Sequence, residues 1–236
     1  MQTSVVIIAH NEEKCIAKCI ESILNQTQKP DEIILIIHNG TDKTFEMAQP
    51  YPITTIKLDG LAGPVYARIE GIQNASKEII LCIDGDSVAE KNWVEVMGKT
   101  LQSNNNILVG SYIKFEGTIF DNLSNIWNKY FCVSKNKKAV SWLWGASFAF
   151  FGKDKNFVLD TFKKSVGASK ELNLPSGRIA EDYWLALSMN KIGNLEITNK
   201  TYVIAQVKET SITRSLIRNR TNHKNGHLIK KFFQQY

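Results

Sequence analysis

Two carboxylates separated by a residue without a side chain, Asp84-Gly85-Asp86, end the strand-like stretch 77–83, apolar from Ile79 onward. Such a triplet can fold round a hard divalent cation, which takes oxygen ligands and accepts phosphate oxygens for the rest of its shell. A cation held there would neutralise a diphosphate. The same triplet also suits a plain turn, because Asp and Gly tolerate φ > 0 and Asp makes Asx hydrogen bonds. Its position argues for the ligand, since open α/β sheets bind ligands beyond the carboxyl ends of their strands. Two further polar loops meet that criterion: Ala9-His10-Asn11-Glu12 after the first apolar run and His38-Asn39-Gly40 after the second. If the strands before them are neighbours, all three loops converge on one pocket.

The elements that must hold these loops follow from an alternation of short apolar runs with helix-period segments, the mark of an α/β fold with a mostly parallel sheet flanked by helices. Residues 4–9 form a β-branched strand. Asn11 is placed to cap a helix along which Ile16, Ile20, Ile23 and Leu24 recur at helical spacing. A second strand at 32–37 leads to a turn and helix start at Asn39-Gly40-Thr41-Asp42, and a third strand lies at 54–58. A helix over 63–75 puts Val65, Ile69 and Ile72 on one face, and 77–83 enters the strand that stops at Asp84. Beyond it, 92–101, 122–131 and 180–192 read as helices, and 107–115, 142–151 and 200–207 as strands. With no internal repeat or linker, residues 1–207 are read as one domain, a nucleotide-type half at 1–103 and a half at 104–207 that completes the site.

A chain of 236 residues, 43% hydrophobic and 22% charged, can bury a substantial core and is neither disordered nor fibrous. No apolar run approaches the roughly 20 residues that span a bilayer. Met1-Gln2-Thr3-Ser4 enters the first apolar run without the basic stretch of a secretory signal, and Cys15, Cys19, Cys82 and Cys132 show no metal-type pairing. A reduced, cytoplasmic setting is therefore expected. The charge is uneven. Residues 208–236 carry seven basic residues against Glu209 alone, whereas 1–207 hold 22 basic and 22 acidic residues. A neutral body with a basic tail points to a polyphosphate, an anionic membrane or nucleic acid, or else to a solvated helix.

The stretch Val5-Val6-Ile7-Ile8-Ala9-His10-Asn11-Glu12-Glu13, with the amphipathic helix ending at Ser22-Ile23-Leu24-Asn25-Gln26, resembles the opening of family-2 glycosyltransferases of the GT-A fold. Later segments resemble that family's successive motifs in the right order. These are Asn39-Gly40-Thr41-Asp42, Arg68 within Tyr66-Ala67-Arg68-Ile69-Glu70-Gly71, the Asp84 triplet, Gly145-Ala146-Ser147-Phe148-Ala149-Phe150, and Glu181-Asp182; together they cover about 4–192. The resemblance implies that Ala9, His10, Glu12, Asn39 and Arg68 surround the base and phosphates of a UDP- or GDP-linked sugar. By the same resemblance Asp84 meets the ribose or metal, Asp86 ligates Mg²⁺ or Mn²⁺, and Asp182 is the catalytic carboxylate. Inverting transfer needs a base for the acceptor hydroxyl and positive charge for the leaving diphosphate, which suits one free and one metal-bound carboxylate. The family's acidic pair after the second strand is His38-Asn39 here, so the residue that reads the base is unassigned. The Q-x-x-R-W signature of processive synthases is absent, which favours single-sugar transfer.

Trp144, Gly145, Glu181 and Trp184 are candidates for an acceptor pocket, with Trp142 a third indole, since sugar faces stack on indoles and core packing is the competing role. In the tail, Ile212, Leu216, Ile217, Leu228, Ile229, Phe232 and Phe233 interleave with basic residues. That pattern fits a basic amphipathic helix docking peripherally on an anionic membrane to reach a lipid-linked or glycan acceptor. It fits equally a lid in which Arg214, Arg218 or His223 covers the diphosphate. Two rival classes share part of the pattern. A nucleotidyltransferase would show a glycine-rich basic loop where His10-Asn11-Glu12-Glu13 stands, and a nucleic-acid-binding protein would work through the tail alone; no nucleic-acid partner is expected.

Overall fold

The run Val5-Val6-Ile7-Ile8 lies in β1 (Thr3–Ala9), buried along its whole length, as expected of a parallel strand covered on both faces. In the computed structural model, which describes residues 1–60, 63–116, 125–126, 143–171 and 181–206, β1 pairs in parallel with β2 (Glu32–His38) and β4 (Ile79–Asp84). Beyond β2 lies β3 (Thr54–Leu58), also parallel. On the other side, β7 (Ser147–Phe151) runs antiparallel to both β4 and β6 (Asn106–Glu116). The long β8 (Asn194–Gln206) is parallel to β6, and the short β5 (Ser87–Ala89) closes the far edge against β8. The sheet order is β3-β2-β1-β4-β7-β6-β8-β5.

Alternate residues of each strand enter opposite cores, the period of two that a pleated strand imposes. Val6, Ile8, Ile80 and Cys82 pack with residues of α3 (Pro64–Asn74), α5 (Lys155–Glu171) and α6 (Glu181–Asn190). Val5, Ile7, Leu81 and Ile83 pack with α1 (Ile16–Leu24), α2 (Thr44–Ala48) and α4 (Trp93–Gln102). The result is a three-layer α/β architecture. Lys155 Nζ donates to the carbonyls of Gln73 (3.3 Å) and Ala75 (3.1 Å), tying the start of α5 to the open carbonyl end of α3.

Several expectations need correction. Asn11 does not cap α1: its φ is +56°, a left-handed conformation that Asn tolerates, and the N-cap is Cys15. The strand expected over 142–151 begins at Ser147, because residues 144–147 form a turn closed by Ser147 N–H to the Trp144 carbonyl (3.0 Å). The late strand starts at Asn194 rather than 200, and its pairing with β6 slips between Ser111 and Tyr112, so one strand carries an irregularity that hides its first half in sequence. Helix α5 and strand β5 were not anticipated. Of the helix expected over 122–131 only 125–126 are described, and they are helical. The basic tail, with Arg214, Arg218 and His223, and Trp142 lie outside the described residues. Among the described residues no helix is long and apolar enough to cross a membrane.

Candidate active site

Register brings the polar loops together. Asp84 lies opposite Ile8, and Ala9 opposite Ile37, so the chain leaves β1, β2 and β4 at one end of the sheet. There the loops are laced by side chains. Asn11 accepts the Thr41 N–H (2.8 Å), Asp42 accepts the Glu13 N–H (3.0 Å), and the Thr44 hydroxyl accepts the Glu12 N–H (2.7 Å). Asn39, with φ +46°, accepts the Gly60 N–H (2.9 Å) and donates its own N–H to the Leu58 carbonyl (3.0 Å), joining the ends of β2 and β3. Glu12 is buried, and its carbonyl receives the first N–H groups of α1 from Cys15 and Ile16. Thr41, Asp42 and Thr44 thus support the loops that carry His10 and Asn39, a role that their turn-forming chemistry could have signalled.

The exposed His10 ring stacks on His38, with centroids 5.0 Å apart, and His10 Nδ1 hydrogen-bonds the His38 carbonyl (2.9 Å). His38 is only 7% exposed. Burial, then the neighbouring His10 and Arg68, push its pKa down to about 4 against a weaker pull from Asp84, so the ring is neutral near pH 7. Ala9 contributes a buried methyl under the Asp84 turn rather than a polar contact.

That turn is latched to β1 by Gly85 N–H donating to the Ile8 carbonyl (2.8 Å). A side chain at Gly85 would begin 3.0 Å from the Ala9 Cβ and 3.1 Å from the Ile8 oxygen, so it would press on β1 and push the turn outward by a few tenths of an ångström. Asp86 is half-buried, and the Ser87 hydroxyl lies 3.3 Å from its Oδ1. Among the described residues no group of three or more His, Cys, Asp or Glu side chains could enclose an ion. The donor chemistry still fits Mg²⁺ or Mn²⁺, because Mg²⁺ is commonly held by one or two carboxylates with phosphate oxygens and water making up the shell.

Arg68 is the hub of the site. Although charged, it is 4% exposed, and it occupies the buried face of α3. Its Nη2 contacts Asp84 Oδ1 at 2.6 Å, and its Nη1 pairs with Glu181 Oε1. Burial disfavours the charge, but Asp84, Glu181 and Asp182 outweigh it and raise the arginine's affinity for its proton. Arg68 is therefore not turned to an open phosphate site; two carboxylates hold it. The half-buried Asp182 receives the Gly145 N–H at Oδ2 (3.1 Å) and the Tyr183 N–H at Oδ1 (2.8 Å). Burial and then Glu181 lift its pKa to about 6, against the lowering influence of Arg68 and the two N–H groups. A side chain at Gly145 would stand 2.9 Å from Arg68 Nη2, too close without a shift of the guanidinium, and 3.5 Å from Asp182 Oδ2, an ordinary contact, so glycine here makes room for Arg68.

The tryptophans separate. Trp144 packs edge-on against Phe115 (5.8 Å between centroids) immediately before Gly145. Trp184, 6% exposed, instead lines a groove of about 590 Å³ between α5 and α6, with Phe157 and Ile192. There it forms a buried part of the groove wall.

A mostly parallel sheet whose strand ends carry an Asp-Gly-Asp turn, with carboxylates of a later helix brought against it, is the GT-A arrangement. The same fold occurs in S. aureus TarS in complex with UDP-GlcNAc, at TM-score 0.63 and 15% identity, covering 91% of this chain and 61% of that one. It occurs again in the glucosyl-3-phosphoglycerate synthase from Mycobacterium tuberculosis in complex with Mn²⁺, UDP and phosphoglyceric acid, at TM-score 0.62 and 17% identity, covering 95% and 76%. The chain belongs to glycosyl transferase family 2, whose model matches residues 4–160. Relatives include the glycosyltransferase GlyG of Streptococcus pneumoniae, 27% identical over 173 residues covering 68% of this chain and 55% of that protein. Another is the cholesterol galactosyltransferase of Borreliella burgdorferi, 30% identical over 174 residues covering 68% and 46%. The chain thus spans about half the length of these relatives.

Proposed function

We propose that this chain is an inverting glycosyltransferase that moves one sugar from a nucleoside-diphosphate donor, UDP- or GDP-linked, to a hydroxyl of a glycan or lipid-linked acceptor. The observation that carries the reading is the Arg68 bridge, which ties Asp84 of the strand-end turn to Glu181, next to Asp182. In this reading the loops bearing His10, Glu12 and Asn39 receive the nucleoside, and Asp86, with Asp84 beside it, would hold Mg²⁺ or Mn²⁺. A metal in that position supplies positive charge against the leaving diphosphate. Asp182 takes the proton from the acceptor hydroxyl. Its two backbone N–H partners orient the carboxylate, and a pKa of about 6 keeps it ionised near neutrality yet basic enough to accept a proton.

Register favours the tail as a diphosphate lid over a membrane anchor. Ala205 pairs with Ser87, so β8 ends at Gln206 beside the Asp86 turn, and 207–236 continue from there. Arg214, Arg218 and His223 are the tail residues to which this reading gives that role. The test of donor class is thermal stabilisation of the full chain by UDP, GDP or other nucleoside diphosphates, each with and without Mn²⁺. A metal-dependent upward shift with one of them is expected; no shift with any of them contradicts the reading.

A further inference from the structure

A buried arginine needs counter-charges, and the way they are shared decides where each one points. The charged and titratable groups facing Arg68 are His38 from β2, Asp84 and Cys82 from β4, and Glu181 and Asp182 from α6. Its two terminal nitrogens go to Asp84 and Glu181, while Asp182, adjacent in sequence to Glu181, is held by the N–H groups of Gly145 and Tyr183. A Cβ built on Gly145 would stand 2.9 Å from Arg68 Nη2 and 3.5 Å from Asp182 Oδ2, so the guanidinium and the Asp182 carboxylate come close to the same backbone.

We propose that Glu181 is a positioning residue, which by engaging Arg68 Nη1 keeps the guanidinium from pairing with Asp182 and leaves that carboxylate oriented by backbone N–H groups alone. This rests on Asp182 being the base of the transfer reaction. Without the charge on Glu181, Nη1 of Arg68 is freed while Nη2 stays on Asp84, and Asp182 is the remaining carboxylate on α6 toward which Nη1 can turn. A carboxylate paired with an arginine nitrogen is a weaker base and is pulled out of line with an acceptor. Both changes in Glu181→Gln act in one direction on Asp182: loss of a neighbouring negative charge and fuller contact with Arg68 each favour its ionised form.

The Gly145 amide, which donates to Asp182 Oδ2, reports the ionisation of Asp182 by NMR in the full chain with no substrate present. In the unaltered protein the Gly145 and Tyr183 amides should titrate together with an inflection near pH 6, the value to which burial and Glu181 raise Asp182. In Glu181→Gln the inflection should move down by about one pH unit or more. The acid limb of kcat should move with it, kcat on the plateau should fall roughly 3- to 10-fold, and KM for the donor should stay within about twofold. An unmoved inflection in folded Glu181→Gln overturns the inference. Should that variant not fold, Glu181→Asp, which keeps the charge but withdraws it from Arg68, is expected to shift the inflection part of the way, and no shift overturns it as well. An inflection near pH 4 in the unaltered protein does the same. The reading of Asp182 as base fails separately: Asp182→Asn that still transfers sugar removes it whatever Glu181 does, whereas an unmoved titration with Asp182→Asn inactive removes only the role of Glu181.

Discussion

Gly145 and Asp182, 37 positions apart in sequence, share a hydrogen bond in which the Gly145 N–H donates to Asp182 Oδ2 at 3.1 Å. The bond brings the turn before β7 to the start of α6 and sets the carboxylate beside Arg68, which itself holds Asp84. Groups from α3, β4, the β7 turn and α6 meet there in a space that a single methyl group would fill.

Replacing Gly145 by Ala should therefore damage the site more than the fold. The new Cβ would lie 2.9 Å from Arg68 Nη2, so the guanidinium or the turn must give way. Sugar transfer is expected to fall about 10- to 100-fold, in line with the cost of small misplacements of reacting groups, while the thermal midpoint drops by only a few degrees. Activity within twofold of the unaltered protein would contradict the geometry.

Asp86→Ala should abolish stabilisation by nucleotide with Mn²⁺. A ligand at 100 times its Kd stabilises a protein by about 2.7 kcal/mol, and that increment, read as a shift in denaturation midpoint, is expected to vanish in the variant while the midpoint without ligand stays put. A retained increment would mean that Asp86 holds no metal.

His38 makes stability depend on pH. Its pKa is about 4 in the fold against 6.5 ordinarily, so between those values the unfolded chain binds a proton that the folded chain does not. Stability from this group is complete above pH 6.5 and is lost as pH falls toward 4. Asp182 works in the opposite sense: its raised pKa makes the folded chain the better proton binder between its ordinary value and about 6, which lowers stability as pH rises through that range. On going from pH 4.5 to 6.5 the denaturation midpoint should accordingly rise less, or fall further, in His38→Gln than in the unaltered protein, because the opposing effect of Asp182 is then uncompensated. Equal changes in the two proteins would show that the ring is not held neutral.

Lys155→Ala should cost about 0.5 to 1.5 kcal/mol, the net worth of a typical intramolecular hydrogen bond, because it frees the Gln73 and Ala75 carbonyls at the partly exposed end of α3. Urea denaturation with an unchanged m-value is the measurement; a loss below about 0.3 kcal/mol would mean that the contact is not maintained in solution.

The first half of the fold was legible because each strand there is a continuous apolar run bounded by turn residues: β3 was expected at 54–58 and is found as Thr54–Leu58, and β1 and β2 differ by one residue. Strand β5 is three residues long, too short to set up an alternation. Helix α5 packs Val158, Leu159 and Phe162 inward but carries lysines over the rest of its surface, so its apolar stripe is narrow. In the site, the acidic residues of the Asp84 turn and of Glu181-Asp182 stood out by type, but the partnership of Arg68 did not. Its signal was present in the spacing, for Arg68 follows Val65 by three residues and precedes Ile72 by four, and all three are buried. An arginine on the apolar side of a helix requires carboxylates from elsewhere, and which ones depends on a register that no local pattern contains.

In the proposed function one cleft binds the nucleotide through the strand-end loops and deprotonates the acceptor through Asp182, so the two roles should separate in a single variant. The most direct test compares Asp182→Asn with the unaltered protein in two assays, binding of the nucleotide with Mn²⁺ by calorimetry and transfer or release of sugar from the nucleotide sugar it prefers. A Kd within about twofold is expected, with turnover reduced by at least roughly a hundredfold, the lower end of what a positioned base contributes. Turnover close to that of the unaltered protein, or loss of nucleotide binding together with turnover, would contradict it.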